Sequence, residues 1–203
     1  MKGIAKMYSN THKFIFIHWG KCAGSSIKHA LMAIDGLEAK YSNGHTSLHD
    51  MKKFIKKDGF DPEQYLKFSC VRNPWDREVS LYHHMCTIAK RWPNNPEKSK
   101  IQFNGTFEEF LYHQELYPSP QGNFEGLDHV VRYEFLQDDF DILCEKLDIL
   151  HKVELPRIDY NTGRPKTNYQ SYYNSKTQKM IAKQSSKIID LFGPLCAVVA
   201  MKT

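Results

Sequence analysis

An α/β fold, with a parallel sheet flanked by helices, is what this sequence predicts, and three observations predict it. Apolar runs of strand length recur at 14–17, 65–72 and 129–133. Segments with apolar residues at helical spacing lie between and after them. Two of the junctions carry helix-start residues, Ser25-Ser26 and Asn73-Pro74. Strands that alternate with helices pair in parallel through right-handed crossovers. The 203 residues suffice for one sizeable domain, taken as 1–203, with disordered or poorly packed ends expected at 1–12 and 194–203.

The first strand, Phe14 to Ile17, is continuously apolar, as a strand buried on both faces requires. Gly20 and Gly24 bracket Lys21, and Ser25-Ser26 opens a helix whose Ile27, Ala30, Leu31 and Ile34 form one stripe. Strand, glycine-bearing loop and helix N-terminus together make an anion site, because unpaired N–H groups and the helix dipole converge there. A serine that only caps the helix is the bland alternative. Lys21 favours the anion site, since a lysine in so tight a loop has few structural uses. The order is not that of a Walker A loop, in which lysine follows the second glycine.

Asp35-Gly36 ends that helix, and 40–47 is a polar loop. A helix from about Thr46 to Lys57 follows, with Thr46 or Ser47 as N-cap and Leu48, Met51, Phe54 and Ile55 on its apolar side. His45 then lies just before a helix start, which keeps its ring neutral and able to accept a proton. Tyr65–Arg72 is the second strand, and Asn73-Pro74 starts a helix to about Ala89. Arg72 thus ends a strand beside a helix N-terminus, the edge along which α/β sheets bind ligands. Residues 90–105 are a long polar loop, read as a lid, an acceptor rim or a surface excursion. A helix from Thr106 to His113, a loop from Tyr117 to Gly126 and a strand from His129 to Tyr133 come next. Phe140, Leu143, Cys144 and Leu147 mark another helix. Residues 151–174 are irregular and carry Arg157, Arg164 and Lys166. A last helix runs from about Ser175 to Phe192 and stops at Gly193-Pro194.

Charge and cysteine usage bound the function. A net charge of +5 suits anionic ligands but is too weak to indicate nucleic acid. Five scattered cysteines without a CxxC pair point to a reducing compartment, and no apolar run approaches a membrane span, so a cytoplasmic chain is expected. His45 and His49 lack further ligands at metal spacing, and His83-His84 with Cys86 diverge around a helix, so no metal site is expected.

Lys21, Gly24, Ser25 and Ser26 form one anion mouth, and Arg72 with Ser80 forms a second on the same sheet edge. One guest with two separated phosphate-type groups would satisfy both. At this point IHWGKCAGSSI resembles the 5′-phosphosulfate loop of sulfotransferases that use 3′-phosphoadenosine 5′-phosphosulfate (PAPS). FSCVRNPWDREVSLY is similar to their 3′-phosphate segment, and VVRYEFLQDDFDILCEKLDI to a later part of the domain. The closest resemblance is to carbohydrate sulfotransferases of the heparan 2-O and chondroitin type, in small soluble form, over roughly Lys13 to Phe192.

That resemblance implies a P-loop-NTPase-like sulfotransferase fold and PAPS as donor, with no metal required. It implies that Lys21 steadies the leaving phosphate, that the loop Cys22, Ala23, Gly24, Ser25 and Ser26 binds the 5′ end, and that Arg72 and Ser80 bind the 3′-phosphate. Arg164 aligns loosely with a loop that closes over the nucleotide. Trp19-Gly20 stands where the family prefers proline before lysine, and Ser25 where threonine is usual. GHTSL resembles the segment that carries a histidine near the acceptor, which makes His45 the candidate base, with Glu38 and Glu63 as competitors and His18 as a packed strand end. Two other functions stand beside this one: a P-loop-type small-molecule kinase, disfavoured because the second strand ends in Arg72 rather than a magnesium-binding carboxylate, and a non-catalytic binder of adenosine bisphosphates.

Overall fold

The computed structural model describes residues 7–34, 39–41, 47–116, 124–158 and 163–196. In chain order its elements are β1 (Met7–Ser9), β2 (Phe14–Ile17), α1 (Gly24–Met32), β3 (Ala39–Tyr41), α2 (Leu48–Lys57), β4 (Leu66–Val71), α3 (Pro74–Arg91), α4 (Pro96–Lys100), α5 (Phe107–Leu116), β5 (His129–Arg132), α6 (Leu136–Lys146), α7 (Ser175–Gln184) and α8 (Ser186–Cys196). The chain divides into two compact units, Met1–Val71 with Gln121–Ile158, and Arg72–Pro120 with Asp159–Thr203.

The first unit holds a five-stranded sheet in the order β3-β1-β2-β4-β5. Its centre is the expected one: β2, β4 and β5 run parallel, with Phe16 opposite Phe68 and Cys70 opposite Val131. Phe14, Ile15, Phe16 and Ile17 are all buried, which is why this strand reads as an unbroken apolar run. β1 pairs antiparallel with both β2 and β3, so the sheet is mixed rather than wholly parallel. Residues 7–9, assigned from sequence to a loose end, are thus a buried strand, with Met7 and Tyr8 in the core. Residues 39–41, read in part as loop, form the edge strand. Three-residue strands carry too few alternations to be seen as a pattern.

The apolar stripe of α1 buries Ile27, Ala30 and Leu31, and that of α2 buries Met51 and Ile55. Ser47 caps α2, its Oγ accepting from the Asp50 N–H at 3.1 Å. On α6, Phe140, Leu143 and Cys144 face the same core.

The second unit is helical. Asn73 is the expected N-cap of α3: its Oδ1 accepts from the N–H groups of Trp75 and Asp76 at 3.1 and 3.2 Å, with Pro74 in the first turn. Trp75 and Val79 on α3 pack with Phe107, Phe110 and Leu111 of α5 and Ile181 of α7. Two expectations change here. Residues 90–105 are not one long loop, because α3 continues to Arg91 and α4 starts at Pro96, capped by Asn95. The expected single helix over 175–192 is two, α7 and α8, broken at Ser185, with Phe192 non-helical inside α8. Ser185 and Ser186 at the break favour side-chain bonds to the local backbone over helix continuation. No helix among the described residues is long and apolar enough to cross a membrane.

Candidate functional site

The first group of candidate residues follows β2. The end of that strand is fixed by Ser69 of β4, whose buried Oγ donates to the Ile17 carbonyl at 2.6 Å. Beyond it the chain is pinned from inside. Trp19 is buried edge-on against Phe124, ring centroids 5.0 Å apart, and Cys22 is fully buried with its thiol donating to the Gly20 carbonyl at 3.6 Å. Between these anchors Lys21 stays partly exposed. Burial pushes the nearby Cys70 thiol well up.

The loop stores backbone strain at two residues that are not glycine. Lys21 has φ of 68° and Ala23 of 62°, both left-handed. Such a conformation costs an L-residue about 1–2 kcal/mol. Left-handed residues in a turn are also the geometry in which successive N–H groups converge on an anion. Ala23 is the N-cap of α1 and makes no side-chain cap bond. Ser25 and Ser26 occupy the second and third helical positions, so neither is the cap that the bland alternative supposed. The N–H groups of Gly24, Ser25 and Ser26 fall in the first turn, where no intrahelical acceptor exists.

Gly24 has a steric role that the sequence did not disclose. A Cβ there would lie 2.0 Å from Cδ2 of His18. The His18 ring in turn stacks on Phe16 at 5.9 Å and 12°, and Phe16 on Phe68 at 4.9 Å and 15°. His18 is therefore the packed strand end that the sequence suggested, and the helix start is seated on its ring. Gly24→Ala should lower the melting temperature, because one side must move by more than an ångström. The double variant Gly24→Ala/His18→Ala should recover much of that stability. A Gly24→Ala protein as stable as wild type in thermal unfolding would contradict this packing.

The second group follows β4. Arg72, buried to 8 % exposure, donates from Nε to Oδ2 of Asp76 at 2.7 Å. Oδ1 of the same carboxylate accepts from Nη2 of Arg164 at 2.7 Å. Arg164, 88 residues further along the chain, thus shares one counter-ion with Arg72. Asp76 and Ser80 are four apart on α3 and share a face, and Ser80 is buried. His83, one turn on, pairs its Nε2 with the Tyr172 hydroxyl at 2.8 Å; burial and then the Arg164 charge hold its ring below the usual histidine range. Burial, and then the Glu78 and Asp76 charges, push the Tyr173 phenol up, and its hydroxyl donates to the Trp75 carbonyl at 2.8 Å. Two guanidinium groups against one carboxylate leave a net positive charge, the condition for holding a phosphate.

The other candidates separate. His45 and Glu38 lie outside the described residues. Glu63 precedes β4, whereas the Lys21 loop follows β2 at the opposite end of the parallel strands; its carboxylate, held below the usual range by a hydrogen bond from Lys52, bridges that lysine at 2.9 Å. Arg132 is committed to Asp139 by side-chain bonds of 2.7 and 2.6 Å, with its N–H at 2.7 Å to the same group. Burial alone would raise the Asp139 carboxyl; those bonds and the Arg132 charge bring it below its ordinary value. Among the described residues no group of three or more His, Cys, Asp and Glu is placed to hold a metal. The residue that sequence reasoning missed is Asp76. Its signal was the four-residue spacing from Arg72, which puts opposite charges within reach at the start of a helix.

The first unit is thus a mixed α/β sheet with a strained, lysine-bearing loop after β2, and the second pairs two arginines on one carboxylate at the start of α3, features of the α/β class. Comparison with known proteins narrows the class. The sequence profile of the sulfotransferase family matches residues 6–192, and the chain belongs to that family, whose enzymes take a sulfuryl group from PAPS. Among solved structures the fold matches the crystal structure of mouse sulfotransferase SULT7A1 complexed with PAP, with a TM-score of 0.56 and 13% identity, over 89% of this chain and 86% of that one. No curated protein sequence matches.

Proposed function

We propose that this enzyme transfers the sulfuryl group of PAPS to a hydroxyl on a carbohydrate. The observation that carries the reading is the family match over residues 6–192, which spans both groups of basic residues. The PAP bound by the mouse structure supports the choice of nucleotide. In this reading the 5′ phosphosulfate is held by Lys21 and the loop Cys22, Ala23, Gly24, Ser25 and Ser26. The 3′-phosphate is held by Arg72, Ser80 and Arg164. A hydroxyl oxygen of the acceptor attacks sulfur in line, and the bond from sulfur to the bridging oxygen of the 5′-phosphate breaks. The Lys21 ammonium neutralises charge building on that departing oxygen. His45 takes the hydroxyl proton.

No metal is required in this scheme, because a sulfuryl group carries less negative charge than a γ-phosphoryl. The kinase alternative wants a magnesium-binding carboxylate after the strand beside the loop, and Arg72 stands there. A carbohydrate acceptor rests on the sequence resemblance. A cytoplasmic setting fits Cys22, Cys70, Cys86 and Cys144, none of them in a disulfide among the described residues.

Transfer of ³⁵S from labelled PAPS to desulfated heparan and chondroitin chains tests the reading, with Mg²⁺-ATP turnover as the contrasting assay. Label on a glycan is expected from the wild type, and its loss with PAP binding retained is expected from His45→Ala. Tight PAP binding without transfer to any hydroxyl compound would leave the non-catalytic binder as the function.

A further inference from the structure

We propose that Asp76 is the positioning residue of the 3′-phosphate site, a role that rests on the nucleotide reading above. The segment 163–173 lies along α3 through a row of bonds. Arg164 reaches Asp76, the Tyr169 hydroxyl accepts from Asn73 Nδ2 at 3.4 Å, Tyr172 meets His83, and Tyr173 meets the Trp75 carbonyl. Only the first of these joins the two cationic side chains proposed to grip phosphate. Asp76 is itself fixed. Its N–H is taken by the Asn73 cap at 3.2 Å, and its carboxylate sits in the first turn of α3, where the helix dipole favours negative charge.

A carboxylate beside two arginines has two opposite consequences for an incoming phosphate. As a charge, it repels the phosphate and competes for the same donors. As a template, it freezes two long side chains, each of which otherwise loses rotamer freedom when it binds. Each guanidinium carries five N–H donors. The side chain of Asp76 is 15% exposed, so the pair is held in a low-dielectric place where geometry is firmly set. Each carboxylate oxygen is already met by a guanidinium at 2.7 Å, so the cluster of two arginines and one carboxylate keeps a net positive charge toward phosphate; the template effect is then the larger, and Asp76 orients rather than competes.

The sign of one substitution separates the two. Asp76→Asn raises the local charge by one unit in a nearly isosteric side chain. If Asp76 competes, adenosine 3′,5′-bisphosphate binds more tightly. If it positions, the bisphosphate binds about 10-fold more weakly or worse, the scale on which loss of an orienting partner loosens a bound group. Calorimetric titration with the bisphosphate and with adenosine 5′-phosphate reads this on the intact chain. Expected are a reduced preference for the bisphosphate, unchanged binding of the 5′-phosphate, and a raised KM for PAPS with kcat nearly intact. Asp76→Glu, which restores the charge one methylene out of place, should fall between Asn and wild type. Should Asp76→Asn fail to fold, the Glu variant carries the test, and a preference equal to wild type would overturn the proposal. Equal or tighter bisphosphate binding by a folded Asp76→Asn overturns it as well. A wild type that does not distinguish the two nucleotides would instead remove the 3′-phosphate reading itself.

Discussion

Lys21→Ala should slow sulfuryl transfer by about 10²- to 10³-fold, the usual cost of removing one donor aimed at charge that develops in the transition state. Affinity for the bisphosphate should fall far less, because in the proposed site the ground-state phosphate would also be met by first-turn N–H groups that the substitution leaves in place. Single-turnover transfer from labelled PAPS, beside calorimetric titration, separates the two effects. Equal losses in rate and affinity would make Lys21 a general anion anchor. The backbone supplies a second variant. Lys21 is held at a φ of 68°, which glycine adopts freely. Lys21→Gly should therefore unfold at a temperature no lower than Lys21→Ala, yet be equally slow. The role proposed for the Lys21 amine would account for a lysine whose backbone is strained by about 1–2 kcal/mol, since stability alone would place glycine there.

The central strands were legible because burial on both faces leaves an unbroken apolar run, as in Phe14–Ile17, where every residue is buried. The start of α3 was legible because Asn73-Pro74 combines a side-chain cap with a residue that needs no N–H partner. The same pair recurs at Asn95-Pro96 and starts α4, but the surrounding lysines and the absence of any buried residue on that helix hid it inside a polar stretch. β1 and β3 were illegible for their shortness. Their stability comes from pairing in the sheet, a long-range property that no local pattern reports.

The site was legible in residue types and not in partnerships. Lys21, Ser25 and Ser26 announced the loop, yet the strain falls on Lys21 and Ala23, while Gly24 answers to the His18 ring. Arg164 was a weak candidate in the sequence, because its loop aligned only loosely with the family's, and 88 residues separate it from Asp76. Only the fold brings it to the carboxylate that also holds Arg72.

Arg72→Ala should abolish most of the preference for adenosine 3′,5′-bisphosphate over adenosine 5′-phosphate. Arg72 is buried to 8 % exposure and bonded to a carboxylate only 15% exposed, so its charge acts where water screens little. If Arg72 pairs with the 3′-phosphate, truncating it costs about 2–5 kcal/mol of binding, or roughly 30-fold to several thousand-fold in affinity. The fold should survive, because Asp76 keeps Arg164 at 2.7 Å and Asn73 still caps α3. Lysine should rescue only in part: an ammonium restores the charge but not the planar fork that meets a carboxylate and a phosphate together. Salt makes the argument sharper. Because a buried charge is screened much less than an exposed one, the bisphosphate's advantage over the monophosphate in the wild type should shrink only modestly as ionic strength rises, and in Arg72→Ala even that salt dependence should largely disappear. A variant that keeps both the advantage and its salt dependence would move the 3′-phosphate away from α3 altogether.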